Sequence, residues 1–210
     1  MAPQPSPRQL RRDREQASRR SDVVAAASVV FAEKGFHDTQ IAEIARVSEL
    51  SLASIYSLFS GKDEIYDEVI ASAAGSVREA VEREVESVSD PAERLLRVID
   101  SLFTCWQDNH HFIHIYARGT QGLPWATRQV MGEGALWIFR SFRDWVISLA
   151  RAAARSGHLR GVDPEAFAIA MIGAMTRTAV HWIEEYPDRP LSQAAPLVRA
   201  IFSRLVENGA

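Results

Sequence analysis

A chain of 210 residues with 47% hydrophobic side chains can bury a sizeable core, and its one cysteine, Cys105, excludes an internal disulfide and fits a reducing cytoplasm. No run of about 18 apolar residues marks a membrane span, and the Pro- and Arg-rich start lacks an apolar signal core, so a soluble cytoplasmic protein with no membrane partner is expected. The net charge of −3 does not exclude nucleic acid, because residues 1–20 hold six arginines against two carboxylates while residues 63–210 carry a net −5.

In chain order, residues 1–20 read as a basic, partly disordered N-terminal arm that could reach DNA. Val23, Val24, Ala26, Ala27, Val30 and Phe31 then fall at helical spacing, with Gly35 as the stop. Thr39 can cap a second helix with Ile41, Ile44 and Ala45 on its apolar side. After Ser48-Glu49-Leu50, Ser51 can cap a third short helix that buries Ile55 and Phe59. Two short helices across so tight a turn make a helix-turn-helix, which places its second helix in the DNA major groove.

The remainder also reads as helix. One helix runs from Lys62 to about Val88, and an amphipathic one opens at Asp90-Pro91. A short helix capped by Asp108 or Asn109 reaches Tyr116, and Gly119 to Gly122 breaks the chain. Long helices follow from about Pro124 to Arg155 and from Asp163-Pro164 to Tyr186, and the last runs from about Ser192 to Val206. The fold class is all-α.

The residues from Val23 to Ile65 resemble the DNA-binding domain of the tetracycline-repressor (TetR) family of bacterial regulators. The features that carry the resemblance are the alanine-rich run ending at Phe31, Glu33-Lys34-Gly35-Phe36, Thr39, Ile44-Ala45, Ile55-Tyr56-Ser57-Leu58-Phe59 and Lys62-Asp63. Gly157-His158-Leu159-Arg160, Asp163-Pro164-Glu165, Gly173 and Trp182 extend it to the tail. The resemblance implies a helix-turn-helix domain at 21–66 and a helical effector-binding and dimerisation domain at 67–210. It also implies a homodimeric repressor with a double-stranded DNA operator and a small-molecule effector as partners, and no cofactor.

By family position Thr39, Tyr56 and Lys62 would hold phosphates, so Lys62→Ala should lower the salt slope of DNA binding by about one. The exposed face of the third helix, Ser51, Leu52, Ala53, Ser54 and Ser57, has no Arg, Lys, Asn or Gln for bidentate base reading. Leu52 and Ala53 can meet thymine methyl groups, the serines can form single hydrogen bonds, and Gln40 is the remaining polar base reader. Glu49 departs from the glycine usual in the family's turn; a positive φ there would strain it and place a carboxylate near phosphate.

At the other end, Trp106, Tyr116, Phe142, Met171 and Met175 are candidates to bound a pocket for an apolar or aromatic effector, with Arg177, Arg118 or His181 at its polar end. Trp125 and Met131 belong to the same aromatic and thioether set. Ile172, Ala179 and Ile183 on the penultimate helix, with Leu197, Ile201 and Leu205 on the last, form the expected dimer interface. His110, His111 and His114 do not converge as zinc ligands should, so no metal is expected. Without a Gly-rich phosphate loop or a nucleophile elbow, the chain does not read as an enzyme. The alternative is a helical interaction module of the same fold that has lost sequence-specific DNA binding.

Overall fold

The computed structural model describes residues 6–120 and 132–207, and among them there is no strand. By its internal contacts the chain divides into two compact units, Met1–Val69 and Ile70–Ala210.

The first unit begins with α1 (Pro7–Asp38), opened by a reciprocal capping box between Ser6 and Gln9. Residues 7–20 are therefore helical, which corrects the expectation of a partly disordered arm over that stretch. The cap, Pro7 at the first turn and a run of Arg, Gln and Glu all favour helix. Residues 1–5 lie outside the described residues. Gly35 interrupts α1 at φ 79°, ψ 173°, a conformation that L side chains rarely adopt.

α2 (Ile41–Val47) and α3 (Leu52–Leu58) follow, then α4 (Lys62–Glu86). Phe31, Ile44, Ile55, Phe59 and Ile65 are buried together with Val23 and Ala27 in the small core. Phe31 and Tyr66 meet edge to face at 5.1 Å, fastening α1 to the start of α4.

Arg20 is part of this scaffold. Its guanidinium donates to Glu68, to Glu64 and to the Leu58 carbonyl, and its Cζ lies 4.0 Å from the centre of the Phe59 ring. The Ser60 N–H, Arg20 and the Ser60 hydroxyl hydrogen-bond to the Glu64 carboxylate and hold its pKa down at about 2.

In the second unit α4 continues unbroken through Gly75, followed by α5 (Pro91–Asp108), α6 (His110–Thr120), α7 (Glu133–Arg155) and α8 (Pro164–Glu185). A 3₁₀ turn, Leu191–Ala194, leads into α9 (Ala195–Glu207). Asp90 and Asp163 cap α5 and α8 as expected, accepting from the N–H groups of Glu93 (2.7 Å) and Ala166 (2.8 Å). α6 extends past Tyr116 to Thr120. The expected break from Gly119 to Gly122 therefore does not begin at Gly119, which is helical; Gly122, the expected helix start at Pro124, and Trp125 and Met131 lie outside the described residues.

α7 packs on α8, and α9 packs on α5. Arg199 joins the latter pair with hydrogen bonds of 2.6 Å to both Asp100 and Glu93. α8 is long and apolar enough to cross a membrane, yet it buries Phe167, Ala168, Met171, Met175, Ala179, Val180 and Trp182 within the fold.

Candidate nucleic-acid interface and ligand cavity

α2 and α3 are joined by a turn that keeps its backbone satisfied. Ser48 N–H donates to the Ile44 carbonyl, and Leu50 N–H donates to that of Ala45, the six-to-one bond of a Schellman motif. That motif needs a left-handed residue, and Glu49 supplies it at φ 55°. A glutamate in place of glycine costs about 1 kcal/mol there.

Ser51 caps α3 through the Ser54 N–H at 3.1 Å. Its hydroxyl also bonds that of Ser54 at 2.8 Å, and Ser57 donates to the Ser54 carbonyl at 2.7 Å. The three serine hydroxyls are thus engaged along the helix itself. Leu52, Ala53 and Tyr56 project outward, Leu52 44% and Tyr56 57% exposed. The outer face of this helix offers methyl groups, a phenol and shared hydroxyls.

Two residues expected at phosphates turn inward instead. Thr39 is 2% exposed and donates its hydroxyl hydrogen to the Gly35 carbonyl at 2.7 Å, closing the end of α1. It does not cap α2, whose N-cap is the exposed Gln40. Lys62 donates from Nζ to the carbonyls of Phe36 (2.6 Å), His37 (3.1 Å) and Thr39 (3.0 Å), spending its three hydrogens. A cation at the first residue of α4 is disfavoured by that helix dipole, but the carbonyl end of α1 attracts it.

Lys62→Met should therefore lower the stability of the chain to urea by about 2 kcal/mol. DNA affinity should fall for all sequences alike while the salt slope stays unchanged. A slope lower by about one, with full stability, would return Lys62 to the phosphates.

With Arg20 held by Glu64 and Glu68, and Lys34 by Glu43, the cations left outward in the described part of this unit are few. They are Arg8, Arg11, Arg12, Arg14 and Arg19 on α1, all exposed, and Arg46 on the last turn of α2. Arg11 makes only a loose, exposed pair with Glu15 at 3.7 Å. Arg46 escaped sequence reading because it sits on the helix before the recognition helix, but its exposure marks it as a phosphate ligand candidate.

In the second unit an apolar cavity of about 90 Å³ lies among α4, α5, α6, α7 and α8. Trp106, Tyr116 and Phe142 line it as expected, joined by Val77, Leu102 and Phe139. Met171 and Met175 do not line it; both are fully buried in the core. Arg177 is exposed on the outer face of α8, and Arg78 and Thr176 join Trp106 and Tyr116 as the cavity residues that carry polar groups. Arg78 is engaged by Glu82 at 2.7 Å and Ser141 at 2.5 Å, and Thr176 donates to the Ile172 carbonyl at 3.0 Å. The α4 residues were missed because Val77 and Arg78 carry no signal of their own beyond an ordinary helix face.

The expected dimer residues also divide. Leu197, Ile201 and Leu205 are 57%, 59% and 43% exposed, while Val198, Phe202 and Val206 of the same helix are buried. Ala179 is fully buried within the subunit, and Ile172 lines the apolar cavity, so neither belongs to an outer face. Ile183 is half-buried. The outer face of α8 carries Ile169, 52% exposed, with Ala170 and Gly173.

Cys105 is half-buried, and burial pushes its thiol pKa up, which disfavours a nucleophilic thiolate. Among the described residues no three His, Cys, Asp or Glu converge as metal ligands.

Residues 23–69 match the model of the tetR family of bacterial regulatory proteins. The chain is 25% identical over 145 residues to the transcriptional regulator HbdR of Aromatoleum sp. (strain CIB), covering 69% of this chain and 62% of that protein's length. It is 22% identical over 162 residues to the fatty acid metabolism regulator protein of Bacillus subtilis (strain 168), covering 77% and 81% of the two chains. In fold it is similar to the transcriptional regulator FadR from Bacillus subtilis, solved in complex with stearoyl-CoA, with a TM-score of 0.75 at 19% identity over 89% of this chain and 98% of that one. The ketosteroid transcriptional regulator KstR2 of Mycobacterium tuberculosis gives a TM-score of 0.67 at 22% identity, covering 89% and 93%.

Proposed function

We infer that this chain, a DNA-binding transcriptional regulator of the tetR family of bacterial regulatory proteins, acts as a homodimeric repressor on a pseudo-palindromic operator. The observation that carries the reading is the capped α2–α3 pair, with Leu52, Ala53 and Tyr56 on the outer face of its second helix. These side chains suit thymine methyl groups and phosphate oxygens, so local DNA shape carries a large part of the specificity. Gln40, exposed at the start of α2, is the polar base reader, and Ser51, Ser54 and Ser57 supply hydroxyl oxygens. Tyr56 and the outward arginines hold phosphates.

Dimerisation uses the outer stripe of α9, extended by Ile169, Ala170 and Gly173 of α8, where the small residues permit close approach of a second helix. A two-fold dimer then presents two recognition helices to half-sites about one helical turn apart.

The effector enters the apolar cavity between α4 and α8. At about 90 Å³ the cavity is smaller than the few hundred Å³ usual for a ligand site, so binding displaces its aromatic walls. The lining suits an acyl chain or an apolar ring. The fatty acid and ketosteroid regulators similar to this chain support that class. By linkage, effector and operator weaken each other by the same factor.

Selection of bound sequences from a random duplex pool at physiological salt tests the reading. An enriched pseudo-palindrome with half-sites about one turn apart is the expected result. A folded protein that enriches nothing would instead be a helical interaction module, with the strained, acidic Glu49 turn as the physical reason.

A further inference from the structure

Among the described residues around the apolar cavity four carry polar groups, yet the surface they present to it is almost entirely carbon. The hydrogen bonds of two of them show how this arises. Arg78 turns its guanidinium to Glu82 at 2.7 Å and to Ser141 at 2.5 Å, which leaves its aliphatic stem to the cavity. Thr176 turns its hydroxyl back along its own helix, to the carbonyls of Ile172 (3.0 Å) and Gly173 (3.1 Å). Trp106 and Tyr116 contribute ring carbon.

Much of that carbon is aromatic. Phe112, Phe139 and Phe142 join Trp106 and Tyr116, and Tyr116 stacks on Phe139 with ring centres 5.6 Å apart and planes 22° from parallel. A flat ring entering this space meets aromatic faces and edges, and no hydrogen-bond partner among the described walls. At about 90 Å³ the cavity is smaller than the roughly 150 Å³ that encloses benzene, so a wall must give. Phe112 and Tyr116 are buried, whereas Phe139 and Phe142 are half-buried, so the two α7 rings are the walls that turn aside.

We propose that this cavity binds a single hydrocarbon ring and rejects a polar group carried in with it. A hydroxyl entering on the ring loses its water and gains no partner, which penalises it strongly. The inference rests on the reading of this cavity as the effector site and narrows the ligand class of that site.

Benzene is the probe, added to the full chain with ¹³C at its isoleucine δ1 methyl groups. The expected result is saturable binding with ring-current shifts of Ile138 and Ile172, two cavity residues whose resonances are assigned with Ile138→Val and Ile172→Val. Hydroquinone has hydroxyls at opposite ends of the ring, so one of them must enter, and it should bind at least tenfold more weakly. Ala74→Leu extends a side chain from α4 into the cavity and should abolish the benzene shifts at unchanged helical content. Operator titration with the same ligand separates the two readings. Bound benzene that leaves operator affinity unchanged would support the ligand class and overturn the effector role instead. The proposal itself is overturned if benzene leaves both methyl groups unmoved, if folded Ala74→Leu binds it as tightly as the parent chain, or if hydroquinone binds as tightly as benzene.

Discussion

Ile201→Asp is expected to make the protein monomeric at micromolar concentration and to reduce operator affinity at least 100-fold, with its helical content unchanged. Ile201 is 59% exposed at the middle of the outer stripe of α9, between Leu197 and Leu205. One copy alone loses nothing when it is replaced, and exposed substitutions of this kind fall within about ±0.5 kcal/mol of parental stability. In a two-fold interface the same stripe meets its own copy, so six side chains from α9 leave water together, joined by two Ile169 side chains. Each is already about half covered, so the gain is about 1 kcal/mol apiece, or about 8 kcal/mol for the set. The substitution puts two carboxylates into the centre of that patch, where they are desolvated and face each other. DNA affinity follows because joined half-site binders gain about 10²–10⁴ from effective concentration alone. Sedimentation velocity and operator titration read the two effects. A dimer that survives Ile201→Asp would put the interface elsewhere.

The parts of the fold legible in the sequence were those written in local chemistry. Asp90-Pro91 and Asp163-Pro164 are helix starts whose cap and first turn lie within four residues, and both form as written. The stripe of Leu197, Ile201 and Leu205 follows from helical spacing beside a second stripe that the subunit's own core claims. What escaped depended on partners distant in sequence. Lys62 reads as a free cation until the carbonyl end of α1, more than twenty residues earlier, is brought to it. Arg20 reads as part of a basic arm until Glu64 and Glu68 fix it as a scaffold residue. Met171 and Met175 share the apolar character of cavity residues, and only the rotation of α8 assigns them to solid core while Ile172 and Thr176 face the cavity. Helical periodicity gives relative angles between residues of one helix, but not which angle faces the space that its neighbours leave open.

Replacing Arg8, Arg11, Arg12, Arg14 and Arg19 together with glutamine should cost about 600-fold in operator affinity at 0.15 M salt and make the salt dependence shallower by about 4. The reason is where the charge of the first unit goes. Its reading helix carries no cation, Lys62 and Arg20 are consumed by internal bonds, and Lys34 is paired with Glu43. The outward charge is therefore concentrated on the first half of α1, where residues 6–19 are exposed throughout. Each phosphate neutralised contributes about 0.9 to the slope, which at 0.15 M salt is roughly fivefold in affinity. Two arginines reaching phosphate in each subunit give four contacts per dimer and hence the stated figures. As a helix this segment is too wide for the minor groove, so it lies along the backbone and adds affinity without sequence information. The sequence selected from a random pool should accordingly stay the same in the glutamine variant. Glutamine keeps the helix propensity and the exposed stems, so an unchanged circular dichroism spectrum is expected alongside the loss. An unaltered salt slope would show that α1 stays clear of the duplex and that Arg46 and Tyr56 carry the backbone contacts.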